Sequence, residues 1–497
     1  MALPDAPSCV RAVVERQPEA LALVCDGRRV RWRELGARIN QVANALRASG
    51  VGRGDRVAIL SKNSVEYVEA FFGTLAAGAC VVPLPTLASP EALALMLADS
   101  APKRVFVSRE LASALPREAP TIDLDDERWL GDASDADPGV EIAPEDEFNI
   151  IYSSGTTGTP KGIVHSHATR STFISDLKNF GFGPSAITNL STPLYSNTTM
   201  VAWLPSMCFG ATSVLMSKFD ARGWLALSAA ERVTHAMLVP VQYERILREE
   251  SLPSFDLSSM LVKLCTSAPL APETKRAIVE RMEGALVEIY GLTEGGVTTI
   301  LLASANPDKL ESVGLPAPGC EIKIIDDECR ELPVGATGEV VGRSAFMMKG
   351  YENRSDATDA MLWRDATGAV FYKSGDVGRL DADGYLYLLD RKKDMIISGG
   401  QNVFAADIEN VLTTHPAVAE VAVVGVPSER WGETPLALVV LERGADASPD
   451  ELRDWANQRL GKHERVSTVE IRDALPRSPL GKLLKRELRD PYWKARR

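Results

Sequence analysis

The sequence predicts an α/β protein in two parts: a large N-terminal domain of α/β sheets with a small β unit over residues 1–390, and a small α+β C-terminal domain over 391–497. Three observations predict this. From about residue 20 to 110, short apolar runs alternate with helical periodicity, the pattern of a largely parallel sheet. From 311 to 390 the pattern changes to short strands split by Gly, Asp and Pro, as in antiparallel sheets. The charged run Asp390-Arg391-Lys392-Lys393-Asp394 then interrupts, and helix and strand patterns restart beyond it.

A chain of 497 residues exceeds a single hydrophobic core. Its 45% hydrophobic and 25% charged residues are ordinary globular composition. A net charge of −12 argues against a general nucleic-acid or anionic-membrane binder, which needs a basic face. The first residues lack the basic and apolar regions of a secretory signal. No window approaches the ~18 apolar residues of a membrane span. Seven scattered cysteines with no Cys-x-x-Cys fit reduced thiols, so a cytoplasmic location is expected.

Residues 32–49 place Leu35, Ile39, Val42, Ala43 and Leu46 at helical spacing. The run 56–60 lies between Gly54-Asp55 and Lys62-Asn63 and reads as a buried strand. Ser64 is placed to cap a helix through Tyr67, Phe71, Phe72 and Leu75. A strand follows at 80–84, and Ser89-Pro90 opens a helix in the favoured order of cap then proline. The run 104–107 closes this scaffold, and 108–147, rich in Pro, Asp and Glu, reads as a surface connection. Strand-like runs at 234–240, 264–270 and 287–290 end in small or polar residues, where open α/β sheets bind ligands. Short strands are expected at 321–325, 338–341, 369–372 and 385–389. The second part reads as a helix at 404–412, strands at 418–426 and 436–441, a helix capped by Ser448 with Glu451, and a strand at 468–471.

The stretch with the clearest chemistry is 150–165. An apolar run leads into Ser153-Ser154-Gly155-Thr156-Thr157-Gly158-Thr159-Pro160-Lys161-Gly162. Its hydroxyls, unobstructed N–H groups and one ammonium suit the oxygens of a polyphosphate, although the spacing is not that of a Gly-Lys-Ser/Thr loop. Tyr290 offers a flat face for a purine, Thr293 a hydroxyl, and Glu294 a hard carboxylate oxygen for Mg2+ carried in with nucleotide phosphates. Asp376, after Gly375, can accept both hydroxyls of a ribose; taken alone it would be a turn residue.

The loop 153–162, the run Tyr290-Gly291-Leu292-Thr293-Glu294 and the tail Pro476-Arg477-Ser478-Pro479-Leu480-Gly481-Lys482 stand in the expected order. Together they closely resemble the signatures of the adenylate-forming superfamily: acyl-CoA synthetases, peptide-synthetase adenylation domains and luciferases. Length and domain order are most similar to short aryl-CoA and fatty-acyl-CoA ligases. The resemblance implies stacked α/β sheets, a mobile C-terminal domain, and conversion of a small carboxylic acid to acyl-AMP and then acyl-CoA, using ATP, Mg2+ and coenzyme A. It places Ser153, Ser154, Gly155, Thr156, Thr157, Gly158 and Lys161 on the ATP phosphates. Ser267, Ala268, Pro269 and Tyr290 would hold adenine, with Asp376 and Arg391 on the ribose and Gly291 also in the ATP site. Lys482, Thr293 and Glu294 are the implied catalytic residues: Lys482 joins the substrate carboxylate to the α-phosphate, Thr293 sits beside that phosphate, and Glu294 holds the metal. Tyr195, Ser196, Asn197, Gly291 and Gly296 would line the acid pocket. Lys393 would be the hinge, and Gly399, Gly400 and Trp431 would meet coenzyme A.

This sequence departs from its relatives in places. Ser196 stands where many carry His, and no Asp lies nearby to hold an amino-acid ammonium, which counts against an amino-acid substrate. His463-Glu464-Arg465-Val466 replaces an aromatic-Lys-x-Pro pattern at the coenzyme A entry, and Ala405 replaces a usual Pro. Two alternatives therefore stay open: an enzyme with another acceptor, either an adenylation enzyme that loads a carrier-protein phosphopantetheine or a luciferase-like oxygenase, and a non-catalytic nucleotide-binding relative. Retention of Lys161, Glu294 and Lys482 speaks against the second. The tail around Lys482 also resembles the segment that protein acetyltransferases modify in bacterial acyl-CoA synthetases, while Lys485 onward reads as a solvated basic tail. A homodimer is compatible with the same reading.

Overall fold

The computed structural model describes residues 3–153, 160–398, 401–461, 464–478 and 483–494. The chain forms two compact units: Met1–Glu321 with Gly342–Tyr372, and Ile322–Val341 with Lys373–Arg497. The crossing from one to the other at Tyr372/Lys373 lies inside a single strand, Val370–Leu380, and residue 390 lies inside the second unit.

The first unit holds two large sheets. The nine-stranded sheet has the parallel strands Ile187–Leu190, Thr212–Leu215, His235–Leu238, Val262–Cys265 and Ala285–Gly291 at its centre. In the seven-stranded sheet, Arg56–Leu60 is parallel to Cys80–Pro83 on one side and Arg104–Val107 on the other. Helices Trp32–Ala48 and Val65–Ala76 bury their apolar faces between these layers, with Trp32, Tyr67, Phe71, Phe72 and Trp203 in one core. The predicted caps form: Ser64 Oγ accepts from the amide of Tyr67, and Ser89 Oγ from that of Ala92. The expected surface connection at 108–147 instead contains a strand, Thr121–Asp123, parallel to Arg104–Val107. Its three residues are too few to show a period, and flanking acidic residues hide it.

In the second unit, Leu380 back to Asp376 pairs antiparallel with Leu386–Arg391, so Asp376 is a strand residue rather than a turn residue. Strands Ile396–Ser398, Gln401–Val403, Val418–Ser428, Gly432–Leu441 and Thr468–Ile471 form its other sheet, covered by helices Ala405–Thr413 and Pro449–Asn457. Ser448 Oγ accepts from the amide of Glu451, as the capping box predicts.

The expected solvated tail after Lys485 is a helix, Lys485–Lys494. Leu488 and Tyr492 pack on Val424 and Leu438, and Lys485 Nζ lies 2.8 Å from Glu409 Oε1. The basic residues concealed an apolar stripe at helical spacing. None of the seven cysteines is in a disulfide, and no helix among the described residues is long and apolar enough to cross a membrane.

Candidate active site

Two antiparallel strands, Glu147–Ser153 and Lys161–Ser166, flank the Ser/Thr/Gly loop, with Ser153 directly opposite Lys161. Gly162 permits the close packing here, since a Cβ would sit 2.8 Å from Ile150 Cγ2 and 3.0 Å from Glu352 Cβ. Lys161 Nζ lies 4.9 Å from the ring centroid of Tyr351. The Tyr351 hydroxyl donates to Glu294 Oε1 at 2.8 Å. Burial, reinforced by Glu294, raises the Tyr351 phenol above its ordinary range, so it remains a donor. Sequence reasoning missed Tyr351, because no spacing connects it to 161 or 294.

Strand Ala285–Gly291 delivers Tyr290 and Gly291 at its end, and Thr293 and Glu294 follow in the loop beyond. Gly295 and Gly296 take φ of +75° and +80°, and a Cβ on Gly295 would lie 2.3 Å from the Phe346 carbonyl oxygen. A Cβ on Gly296 would meet the Gly342 carbonyl oxygen at 2.8 Å, so backbone packing also requires this glycine. His165 Nε2 meets the Thr293 carbonyl oxygen at 2.8 Å.

Tyr195 is buried, which pushes its phenol up to about 12. Ser196 is the N-cap of helix Asn197–Phe209, its Oγ accepting from the amide of Thr198 at 3.1 Å. Asn197 is half-buried at the first turn, and Thr198 Oγ1 bonds Ser267 Oγ. Ser267 holds φ of +83°, an unfavourable backbone for a non-glycine residue, in the turn that continues to Ala268 and Pro269. Thus Tyr195, Ser196 and Asn197 cluster at one helix start, and Ser267 is tied to it.

In the second unit, Asp376 and Arg391 are register partners, with Arg391 Nε 3.2 Å from Asp376 Oδ1. Ser374 Oγ donates to the Val340 carbonyl oxygen and accepts from the Asp376 amide, which holds the strand backbone at Gly375, where φ is +71°. The Lys393 carbonyl oxygen accepts from Arg489 Nη1 at 3.2 Å. Asp390 Oδ2 accepts from the Ala405 amide at 2.7 Å, a donor that a proline at 405 would lack. Trp431 is exposed under the guanidinium of Arg430, 4.6 Å from its ring centroid. Glu464 accepts from the Gly461 amide. Ser154, Gly155, Thr156, Thr157, Gly158, Gly399, Gly400 and Lys482 lie outside the described residues.

Among the described residues, no group of three His, Cys, Asp or Glu side chains could hold a metal by itself. A single carboxylate such as Glu294 suits Mg2+, which is usually bound by one or two carboxylates together with substrate phosphates. The donor chemistry therefore fits a metal that arrives with a nucleotide.

Comparison with known proteins matches residues 10–352 to the AMP-binding enzyme family and 407–482 to the AMP-binding enzyme C-terminal domain. The chain is 34% identical to the fatty acid–[acyl-carrier-protein] ligase ScoC of Streptomyces coeruleorubidus, over 96% of this chain and 95% of that protein. It is also 34% identical to the feruloyl-CoA synthase of an Amycolatopsis species, over 95% of this chain and 96% of the relative. The ATP-bound crystal structure of MatB from Rhodopseudomonas palustris superposes with a TM-score of 0.88 at 28% identity, covering 99% of this chain and all of that one (100%). The chain belongs to the AMP-binding enzyme family of the adenylate-forming superfamily.

Proposed function

We propose that this chain activates a small carboxylic acid with ATP and transfers the acyl group to the thiol of coenzyme A, as an AMP-forming acid–thiol ligase. The observation that carries the reading is the contact of Glu294 with Tyr351, whose ring faces Lys161. A carboxylate oxygen of the acid attacks the α-phosphorus of ATP, and pyrophosphate leaves. Two anions must meet, so positioning and charge neutralisation dominate. Glu294 would hold Mg2+, which when bound would supply part of that neutralisation. Lys161, Ser153 and the loop 154–158 address the phosphates, and Thr293 the α-phosphate. Tyr290 and the Ser267-Ala268-Pro269 turn are assigned to adenine, Asp376 and Arg391 to ribose, Gly291 also to the ATP site, and Lys482 to the reacting carboxylate. The acid lies against Tyr195, Ser196, Asn197, Gly291 and Gly296. The thiol sulfur then attacks the acyl carbon and AMP leaves; Gly399, Gly400 and Trp431 are assigned to this half-reaction, with Lys393 as the hinge of a mobile domain from 391 onward.

A screen of pyrophosphate release over benzoates, cinnamates and linear acids, with and without coenzyme A, tests this reading. Release that needs an acid, with thioester formed only when coenzyme A is present, supports it. A second reading, transfer to a carrier-protein phosphopantetheine, is favoured by Glu464 at a position where relatives carry a cation, and by the likeness to ScoC. Thioester formation on a carrier protein but not on free coenzyme A would establish it.

Acetylation of Lys482 by a protein acetyltransferase belongs to the same proposal, supported by the sequence Pro476-Arg477-Ser478-Pro479-Leu480-Gly481-Lys482. It would remove the positive charge that joins carboxylate to phosphate. Peptide mapping after acetyltransferase treatment tests it. A cytoplasmic location is proposed on seven cysteines of which none is in a disulfide, and sedimentation tests a homodimer.

A further inference from the structure

Arg170 lies in helix His167–Asp176 and is almost wholly buried, at 3% exposure. Its donors meet three neutral groups: Nε donates to Asn149 Oδ1 at 2.8 Å, Nη1 to Asn197 Oδ1 at 2.9 Å, and Nη2 to His165 Nδ1 at 3.2 Å. Guanidinium only donates, so His165 Nδ1 is an acceptor and its Nε2–H donates to the Thr293 carbonyl oxygen. His165 is therefore neutral, and burial with the Arg170 charge drives it well below its ordinary range. Burial pushes Arg170 itself down to about 9. Among the described residues no carboxylate pairs with it, although a buried charge is costly without one.

The contact with Asn197 has a directional consequence. A guanidinium can face only the amide oxygen, so Asn197 turns Oδ1 inward and Nδ2 away from Arg170. Nδ2 finds no acceptor among the described residues. Asn197 is also the first residue of a 13-residue helix, whose positive dipole end favours an anion, although the amides of Thr198, Thr199 and Met200 are already bonded to Ser196. An uncompensated cation, a helix N-terminus and an outward amide donor thus coincide at the end of the acid pocket assigned above.

We propose that Arg170 is a positioning residue for adenylation: it orients the Asn197 amide so that Nδ2 donates to the carboxylate of the acid, and its own charge makes that site anion-selective. The proposal rests on the acid-activation reading. Asn149 Nδ2 also lies 3.3 Å from His165 Nδ1, so the His165 contact to Thr293 keeps a second support when Arg170 is changed. The effect should therefore fall on the acid rather than on ATP.

Acid-dependent pyrophosphate release tests this in Arg170→Met, Arg170→Lys and Asn197→Asp. Arg170→Met is expected to raise KM for the acid by about tenfold or more and to change KM for ATP by less than about threefold, with Arg170→Lys recovering part of the loss. Asn197→Asp separates this role from a purely structural one. It gives Arg170 an ionic partner, so the thermal midpoint should hold or rise, while loss of the Nδ2 donor and an added negative charge raise the acid KM by a similar factor. An Asn197→Asp protein with unchanged acid KM, or with a lowered midpoint, overturns the proposal and leaves the acid-activation reading standing. No acid-dependent release by the unaltered enzyme overturns both.

Discussion

The Tyr351 hydroxyl donates to Glu294 Oε1 at 2.8 Å across 57 residues of sequence. One carboxylate oxygen is thereby oriented by a phenol whose ring also faces Lys161 at 4.9 Å. The two groups assigned to phosphate charge are joined through a residue that belongs to neither signature.

Tyr351→Phe removes this donor and keeps the ring. A hydrogen bond to a charged group contributes about 1.5–3 kcal/mol, so acid-dependent pyrophosphate release should fall roughly 10- to 100-fold. The half-saturating Mg2+ concentration should rise with it. Rates measured across a Mg2+ series check both; an unchanged Mg2+ dependence would show that Tyr351 does not orient the metal ligand.

Ala405 begins its helix, a position where proline is normally well tolerated. Here the Ala405 amide holds Asp390 Oδ2 at 2.7 Å, and burial raises the Asp390 carboxyl above its ordinary range. Ala405→Pro leaves that oxygen without its donor and should destabilise the second unit by about 1–3 kcal/mol. Hydrogen exchange of helix Ala405–Thr413 reads the effect, and unaltered protection would mean that the contact contributes nothing.

Lys485 and Glu409 form a largely buried ion pair at 2.8 Å. Removing one partner leaves the other charge uncompensated, a loss of about 3 kcal/mol or more. Lys485→Met should therefore destabilise strongly, while Lys485→Met with Glu409→Gln should recover much of the loss. Urea unfolding of the two variants decides this, and equal losses would place the effect in packing alone.

Glu69 is buried against helix Trp32–Ala48, and desolvation pushes its carboxyl up to about 7 from an ordinary 4.5. The folded chain thus holds this proton more tightly than the unfolded chain. The contribution is fully present below about 4.5 and is lost as pH rises through about 7. Glu69→Gln should remove this fall in stability between those pH values, an effect of up to about 3 kcal/mol. Thermal midpoints at pH 5 and pH 8 check it; parallel profiles for the two proteins would contradict it.

Much of the architecture was legible because apolar periodicity, caps and turn residues agree locally. The strand at Arg104–Val107 and the cap at Ser64 followed from neighbouring residues alone. The tail helix was not legible, since its basic residues outweigh Leu488 and Tyr492 and its ion partner Glu409 lies far away in sequence. In the site, Tyr290, Thr293 and Glu294 stand in one run and could be read together. Tyr351, His165 and Arg170 could not, because their roles depend on which oxygen or nitrogen faces them across strands. A lone arginine near a Ser/Thr/Gly loop reads as a surface charge until its burial is known.

In the proposed first half-reaction an oxygen of the acid attacks the α-phosphorus of ATP, and that oxygen is carried into AMP. The most direct test supplies an accepted acid labelled with oxygen-18 in its carboxylate, together with ATP, Mg2+ and coenzyme A, and analyses the products by mass spectrometry. Attack by the carboxylate leaves one labelled oxygen in AMP, unlabelled pyrophosphate and a thioester that keeps the other label. Label in inorganic phosphate with ADP as the nucleotide product, or AMP without label, would contradict it.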